Sequence, residues 1–359
     1  MRIVIRAGGT GTRLWPMSRQ HNPKQFQRVI GDQTMIRATY ERIRGLLGSV
    51  NDLFISVNHK MLEKIKLEIP EVNLSNVIVE TDTRNTGPAV CLEVCYLEKF
   101  CQPNEIIASL TSDDYISNSQ DFCELLEDSE KFLQRQPENI LAIAVAPDYP
   151  DTGYTYFQIG EKVEAGDKSI YKVAKVVEKP NIDLCNELVS AGDYYCHVGM
   201  YVWQLGYISK LFQKLQPRMY KTCEDVVDMM NRGDLERAKE LYLSLEKMTI
   251  ESAITNKTEN LIMSVSNRFG WSDLGKWHII KRILATEGEN LTKGEVVIHD
   301  AQDNLVYNNN EGRIIVLNDV HDLIIIDTND VLLISSSKKS AEIKNIVEKL
   351  KQQNKEKYL

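Results

Sequence analysis

The chain has 359 residues, of which 43% are hydrophobic and 26% charged, and its formal net charge at pH 7 is −8. These proportions are typical of a folded, water-soluble protein and argue against a disordered tail or a coiled coil. Lys and Arg are mixed among the acids, so we expect no nucleic-acid-binding face and no surface for an anionic membrane. The sequence shows neither a signal-peptide segment nor an apolar span of about 18 residues, which favours a cytoplasmic location.

The first part of the chain alternates between strand-like and helical patterns. A β-branched run at 3–5 ends in glycine, and residues 34–47 have helical spacing. Further strand-like runs lie at 53–57, 77–79, 106–110 and 140–145, separated by helical stretches such as 89–100 and 121–134. This alternation predicts a three-layer, doubly wound α/β domain of the Rossmann-like kind.

The second part of the chain changes character twice. Residues 154–177 are strand-rich, 200–203 add another strand, and 208–245 look like a helical insertion or lid. Beyond Gly294 come short predicted strands at 295–298, 304–307, 313–317, 323–327 and 331–335. An amphipathic helix is predicted at 341–350. We therefore predict a main domain over residues 1–285 and a small all-β domain with a terminal helix over residues 286–359.

The cysteines are an odd set of seven, spread along the chain without a Cys-x-x-Cys pair, which predicts reduced thiols. Cys91 and Cys95 lie four residues apart on a predicted helix and could share a metal. Their apolar neighbours favour two core thiols instead.

A glycine-rich loop follows the first predicted strand and consists of Ala7, Gly8, Gly9, Thr10, Gly11 and Thr12. Glycines permit positive φ and remove Cβ atoms that would block a nucleotide, while backbone N–H groups can point at phosphate oxygens. Arg13 adds a forked cation and Lys24 a second positive charge. The loop lacks the third glycine of a dinucleotide fingerprint and the Gly-Lys-Ser/Thr of an ATPase loop. It therefore predicts phosphate binding of another kind, with a structural turn as the alternative.

Several motifs along the chain resemble those of one enzyme family and occur in the same order as in that family. The stretch 7–26 resembles the signature of bacterial mannose-1-phosphate guanylyltransferases. The family's other landmarks follow as Glu80 with Arg84-Asn85-Thr86, Ser112-Asp113, Asp151-Thr152-Gly153-Tyr154, Val177-Glu178-Lys179-Pro180, Gly199-Met200 and Trp271-Ser272-Asp273-Leu274-Gly275. The resemblance implies a GT-A-like nucleotidyltransferase catalytic domain at 1–285 and a β-helix-like domain at 286–359.

The same resemblance implies the reaction and its substrates. GMP would pass from GTP to mannose-1-phosphate by in-line attack of the sugar phosphate on the α-phosphorus, with Mg²⁺ as cofactor. Because phosphate is already an anion, no protein nucleophile or general base is required. We expect Arg13 and Lys24 to bind the departing pyrophosphate and Lys179 the sugar phosphate. The nucleotide would contact the loop residues Ala7, Gly8, Gly9, Thr10, Gly11 and Thr12, together with Asn85, Thr86 and Ser112.

Two aspartates are the candidate Mg²⁺ ligands. Asp113 follows a predicted parallel strand, and open α/β sheets hold their ligands at the carboxyl ends of such strands. The alternative is a turn aspartate beside Ser112 and Asp114. Asp273 is assigned by the resemblance alone, and its alternative is a helix cap.

The resemblance also implies a sugar pocket formed by Gly153, Tyr154, Glu178, His197, Gly199 and Glu251. An exposed turn ion pair is the alternative for Glu178 and Lys179. Three positions depart from the family pattern: Asp114 replaces a histidine, His197 an asparagine and Glu251 an aspartate. These departures leave open a related sugar, such as a heptose or deoxyhexose phosphate.

Three further alternatives concern the protein as a whole. A non-catalytic regulatory homologue that binds a nucleotide sugar usually loses the charges at the glycine loop, which this chain retains. A transferase that uses UTP or another base is a second alternative. A fusion with an isomerase domain is a third, and the 65 or so residues after Gly294 lack the clustered His and Glu that it needs. We expect the short form, acting on GTP and a sugar-1-phosphate, as a homodimer.

Overall fold

The computed structural model describes residues 1–9, 14–163 and 169–359, which form two compact units. The first unit contains Met1–Gly8, Thr39–Ser112 and Ile116–Trp271. The second contains Gly9–Ala38, Asp113–Tyr115 and Ser272–Leu359. Within the described ranges, no helix is long and apolar enough to span a bilayer.

The first unit is built on a mixed sheet, with nine strands in the part of the chain that the structure describes. They are β1 (Arg2–Arg6), β2 (Leu53–Asn58), β3 (Val77–Glu80), β4 (Ile106–Thr111), β6 (Ile140–Val145), β7 (Thr155–Lys162), β8 (Ile170–Glu178), β9 (Tyr194–Gln204) and β10 (Leu261–Val265). Their order is β3-β2-β1-β4-β9-β6-β10-β8-β7. Two short strands, β5 (Asp114–Ile116) and β11 (Trp271–Asp273), form a separate two-stranded sheet.

The predicted α/β architecture is confirmed, although the sheet is only partly parallel. β2, β1 and β4 are parallel neighbours, as are β6 and β10. β9 runs antiparallel between β4 and β6 and carries an irregularity opposite Ala142 and Ala144. Because β9 is antiparallel to β4, the N-terminal half of β9 lies at the carboxyl end of β4, where open α/β sheets bind ligands.

Nine α-helices accompany these strands in the described ranges. They are α1 (Met35–Ile43), α2 (Leu62–Glu68), α3 (Thr86–Leu97), α4 (Ser119–Arg135), α5 (Ile182–Ala191), α6 (Leu205–Leu215), α7 (Pro217–Asn231), α8 (Leu235–Leu243) and α9 (Ile250–Ala253). Side-chain caps begin several of them; Asn118, for example, accepts a hydrogen bond from the backbone N–H of Asp121 in α4. The predicted helical region at 208–245 is thus confirmed as α6, α7 and α8.

The core of the first unit lies where α3 and α6–α9 pack on the sheet. Phe157, Tyr201 and Trp203 supply large buried rings, and α3 is apolar around most of its circumference. Such a helix is buried on several faces. Cys91 and Cys95 lie in this core, and all seven cysteines are free thiols, as their number and spacing predict.

The second unit contains the β-helix-like part of the chain. Its elements are α10 (Trp277–Leu284), β12 (Leu291–Lys293), β13 (Val296–His299), β14 (Leu305–Asn308), β15 (Ile315–Asn318), β16 (Leu323–Asp327), β17 (Leu332–Ser336) and α11 (Ile343–Gln352). β12, β14 and β16 are parallel neighbours, and β13 is parallel to β15. Parallel pairing of strands that alternate along the chain is the pattern of a coiled β-helix, so this prediction is confirmed.

Candidate functional site

Lys24, Asp113 and Asp273 meet in the second unit. The Lys24 ammonium lies 3.1 Å from Asp113 Oδ2 and 3.1 Å from Asp273 Oδ1. Its side chain is 3% exposed, whereas those of Asp113 and Asp273 are 37% and 18% exposed. One buried cation is thus shared by two carboxylates that come from distant parts of the chain.

Local structure explains how the three side chains reach this position. Lys24 begins a short 3-10 helix after Pro23, and Asp113 lies in the turn between β4 and β5. Asp273 ends β11, and α10 is preceded by Lys276, so the helix-cap alternative for Asp273 is wrong. A Cβ atom on Gly275 would lie 2.8 Å from Asp273 Oδ1, so glycine is required for the present position of that carboxylate.

The electrostatics of this cluster favour a cation. Burial lowers the pKa of Lys24, but the negative charges of Asp113, Asp273 and Asp114 outweigh it and raise that pKa well above its ordinary value. An ammonium with such neighbours stays charged at every physiological pH. The cluster therefore provides paired hard oxygen donors around a single positive charge.

The structure describes the first three residues of the glycine loop, Ala7, Gly8 and Gly9. Ala7 donates its N–H to Ser56 O at 2.7 Å, and Gly9 O accepts from the Gln25 side chain at 3.0 Å. A Cβ atom on Gly8 would lie 3.0 Å from Glu80 Oε2, so a glycine at this position leaves room for the Glu80 carboxyl. The predictions for Thr10, Gly11, Thr12 and Arg13 fall outside the described residues.

Glu80 lies beside the glycine loop, and no role was assigned to it from the sequence. It is buried, Tyr242 donates its hydroxyl hydrogen to Glu80 Oε1 at 2.7 Å, and burial raises its pKa to about 7. Only its place in the family's motif order singled it out, because a glutamate after an apolar strand is not informative by itself.

The predicted nucleotide residues Asn85 and Thr86 begin α3. Asn85 has a φ of 69°, and its side chain accepts from the backbone N–H of Thr86 at 2.8 Å. With a ψ of 178°, Asn85 has a backbone conformation that residues other than glycine rarely adopt. The Thr86 hydroxyl accepts from the backbone N–H of Ile250 at 2.9 Å, which ties α3 to α9. Ser112, by contrast, is buried, and its carbonyl accepts from Thr39 at 3.4 Å.

The predicted sugar residues form two groups. In the first group, Gly153 donates its N–H to Asp151 at 2.8 Å, and Tyr154 O accepts from the Lys179 N–H at 3.1 Å. Lys179 has a φ of 44°, and its ammonium lies 4.0 Å from Glu178 Oε1 with the side chain 58% exposed. The turn ion pair is therefore present, and the exposed ammonium is also open to a ligand.

The second group contains His197, Gly199 and Glu251. Glu178 of β8 and His197 of β9 both pair with Thr155 of β7, so β8 and β9 flank β7 at this position. Gly199 has a φ of 77°, and its carbonyl accepts a hydrogen bond from Arg6 at the end of β1. His197 is buried, and burial lowers its pKa to about 4, although the charge of Glu251 opposes this shift.

Comparisons with known proteins agree with this architecture. Residues 2–287 match the family model described as nucleotidyl transferase, and residues 294–350 match the one described as a MannoseP isomerase/GMP-like beta-helix domain. A mannose-1-phosphate guanylyltransferase from Salmonella montevideo is 30% identical over 363 residues, which cover 99% of this chain and 75% of that protein. RfbM of Salmonella typhimurium, also named mannose-1-phosphate guanylyltransferase, is 30% identical over 359 residues, covering 99% of this chain and 73% of that protein.

A solved structure supports the fold over nearly the whole chain. It is a Thermus thermophilus protein described as a mannose-1-phosphate geranyltransferase, with a TM-score of 0.83 and 23% identity. The alignment covers 98% of this chain and 99% of that protein. At this identity the likeness concerns the fold.

Proposed function

The chain belongs to the nucleotidyl transferase family, and we propose that it transfers GMP from GTP to mannose-1-phosphate, giving GDP-mannose and pyrophosphate. It is a nucleotidyltransferase whose named relatives align with 99% of its length, so the proposal concerns the whole chain. We include in it the division into a catalytic domain at 1–285 and a β-helix-like domain at 286–359.

The observation that most supports this function is the cluster of Lys24 with Asp113 and Asp273. Its two carboxylates face a single positive charge at 3.1 Å each. Such a donor set fits Mg²⁺, which binds one or two carboxylates and keeps several waters and substrate phosphates. We therefore propose Asp113 and Asp273 as the residues that hold Mg²⁺. When bound, the ion supplies neutralising charge to the phosphate oxygens.

The reaction joins two anions, so charge is its main obstacle. An oxygen of the sugar phosphate forms a bond with the α-phosphorus of GTP, and the bond from that phosphorus to the β-phosphate oxygen breaks. No proton needs to be removed from the attacking phosphate. Lys24 and Arg13 would neutralise the pyrophosphate as it leaves, and this positioning of charge replaces a protein nucleophile.

The nucleotide is assigned to the start of the chain and to α3. Ala7, Gly8 and Gly9 would bind phosphates through their backbone, together with Thr10, Gly11 and Thr12. Asn85 and Thr86 would meet the ribose or base. The buried Ser112 would support the turn that carries Asp113.

The sugar phosphate is assigned to the groups around Lys179 and Glu251. Lys179 keeps an exposed ammonium and an uncommon backbone conformation, with a φ of 44°. Such conformations cost of order 1–3 kcal/mol and cluster at ligand clamps. Glu178, Gly153 and Tyr154 would contact the sugar beside it, and Glu251 would accept hydrogen bonds from its hydroxyls.

A related sugar-1-phosphate is the second candidate substrate. Two of the departures from the family pattern, His197 and Glu251, lie within 3.7 Å of each other. Substitutions in contact change the same part of a pocket. A cytoplasmic location and a homodimer remain predictions.

Pyrophosphate release by the purified protein tests the proposal. The protein is incubated with Mg²⁺, with GTP, ATP, UTP or CTP, and with mannose-1-phosphate or another hexose- or heptose-1-phosphate. We expect release with GTP and mannose-1-phosphate and a loss of at least a hundredfold in kcat for Asp113→Asn. Asp300→Asn is the matched control, because Asp300 is 81% exposed in a turn with a positive φ that asparagine tolerates.

The outcomes separate the candidates. If GTP gives pyrophosphate with another sugar-1-phosphate but not with mannose-1-phosphate, that sugar becomes the proposed substrate. Release with another nucleotide would contradict the choice of base. An absence of release with every pair, in a folded protein, would reject the enzymatic function.

A further inference from the structure

A buried group of polar side chains surrounds the Glu251 carboxylate in the first unit. The Tyr201 hydroxyl donates to Glu251 Oε1 at 2.9 Å, and His197 Nδ1 lies 3.7 Å from the same oxygen. The side chains of His197 and Glu251 are 2% and 13% exposed, and Tyr201 is fully buried. Of the three, Glu251 is the one that reaches the surface.

Aromatic packing holds the two supporting side chains in place. The His197 ring lies between Phe157, at a centroid distance of 5.0 Å, and Tyr201, at 4.4 Å. Tyr201 also stacks on Trp203 at 5.5 Å. His197 Nε2 lies 3.3 Å from the carbonyl of Met200, which can only accept a hydrogen bond. Neither ring can turn without displacing a well-packed neighbour.

The group lies at the edge of the sheet where ligands bind. His197 belongs to the half of β9 beyond the end of β4, because a Cβ atom on Gly199 would lie 3.4 Å from the side chain of Thr111. Glu251 is carried by α9, whose first N–H is bonded to Thr86 at the start of α3. The Glu251 carboxylate is thus fixed from both sides at this edge.

The contacts described for Glu251 all involve Oε1, which leaves Oε2 for a ligand. We propose that Tyr201 is a positioning residue, which orients the Glu251 carboxylate so that Oε2 accepts hydrogen bonds from hydroxyls of the sugar-1-phosphate, and that His197 contributes by packing against the Tyr201 ring. The inference rests on the proposed function. It assigns Tyr201 a role in sugar recognition and gives His197 an indirect role, because the imidazole is too buried to meet the sugar itself.

Steady-state kinetics of Tyr201→Phe test the inference. This variant keeps the ring stacking and removes the hydrogen bond to Glu251. We expect KM for mannose-1-phosphate to rise about tenfold, as loss of one charge-assisted hydrogen bond predicts, with KM for GTP unchanged. Tyr220→Phe is the matched control, because its hydroxyl donates to another carboxylate, Glu98 Oε2, at 2.7 Å. That variant should leave both KM values unchanged.

A double-mutant cycle separates positioning from general weakening of the fold. Glu251→Asp shortens the side chain by one methylene and withdraws the carboxylate from Tyr201. If the two residues act as a unit, Tyr201→Phe should add less than a twofold rise in KM for the sugar phosphate in the Glu251→Asp background. A structural role would change the thermal midpoint without this selective, non-additive effect.

Each outcome supports or overturns the proposed positioning role. An active wild type with an unchanged sugar KM in Tyr201→Phe would overturn the inference alone. Equal rises in both KM values, or effects that multiply independently, would also overturn it. A wild type without turnover on any sugar phosphate would overturn the proposed function, and the inference would fall with it.

Discussion

Replacing Lys24 by methionine should destabilise the protein in a way that depends on Mg²⁺. The ammonium is 3.1 Å from each of two carboxylate oxygens, and an effective dielectric constant of about 20 gives roughly 5 kcal/mol of attraction for each pair. Desolvation of the buried ammonium cancels much of this attraction. Removing one partner of a buried ion pair costs about 3–5 kcal/mol. Because Asp113 is 37% exposed, water can solvate it, and we expect a loss of about 2–3 kcal/mol.

Mg²⁺ should offset part of this loss, because a divalent cation can neutralise the two carboxylates that Lys24→Met leaves unpaired. The assay is urea unfolding of wild type and variant, in EDTA and in saturating Mg²⁺. We expect the difference between the two proteins to fall to about 1 kcal/mol in Mg²⁺. Lys99→Met is the control, since Lys99 pairs with Asp228 at 3.0 Å on the surface and should cost less than about 1 kcal/mol in both buffers. The same loss for Lys24→Met with and without Mg²⁺ would refute the reasoning.

Further predictions concern a glycine, a buried acid and a lysine. Gly275→Ala should lower kcat about tenfold by displacing the Asp273 carboxylate, whereas Gly45→Ala, with open space around it, should not; unchanged kcat in both would contradict this. Burial raises the pKa of Glu93 to about 7, so its contribution to stability is present at low pH and is lost as pH rises through 7. The free energy of unfolding is measured in urea at pH 5.5 and at pH 8. Its decrease between the two pH values should be about 2 kcal/mol smaller for Glu93→Gln than for wild type, and equal decreases would argue against the raised pKa. Lys179→Gln should raise KM for the sugar phosphate about 30-fold with KM for GTP unchanged, and a rise confined to GTP would contradict its assignment.

Much of the fold could be predicted from the sequence, because local patterns determine most of its elements. The apolar runs of β2, β3, β4 and β6 begin at the predicted residues. β12 was missed, since Leu291–Lys293 is too short to show a strand pattern. The antiparallel course of β9 could not be read either, because strand direction depends on which strands lie beside it and not on its own composition.

The candidate site was predictable only in part, for a similar reason. Lys24, Asp113 and Asp273 lie far apart in the sequence. Local patterns indicated Lys24 and Asp113 separately, whereas Asp273 was assigned by the resemblance alone. Tyr201 gave no signal, because it lies in an apolar strand and looks like an ordinary core residue. Its bond to Glu251 joins residues 50 positions apart, so it could be found only once both elements were packed. The contact between His197 and Glu251 was hidden in the same way.

Guanylyl transfer itself is tested most directly with mannose-1-phosphate that carries ¹⁸O in its phosphate group. The wild-type protein, GTP and Mg²⁺ are added, and the products are weighed by mass spectrometry. Attack of the sugar phosphate on the α-phosphorus predicts GDP-mannose that retains all of the label, and an equal amount of unlabelled pyrophosphate. Pyrophosphate formed together with GMP, without labelled GDP-mannose, would mean that water is the acceptor and would contradict the proposed function.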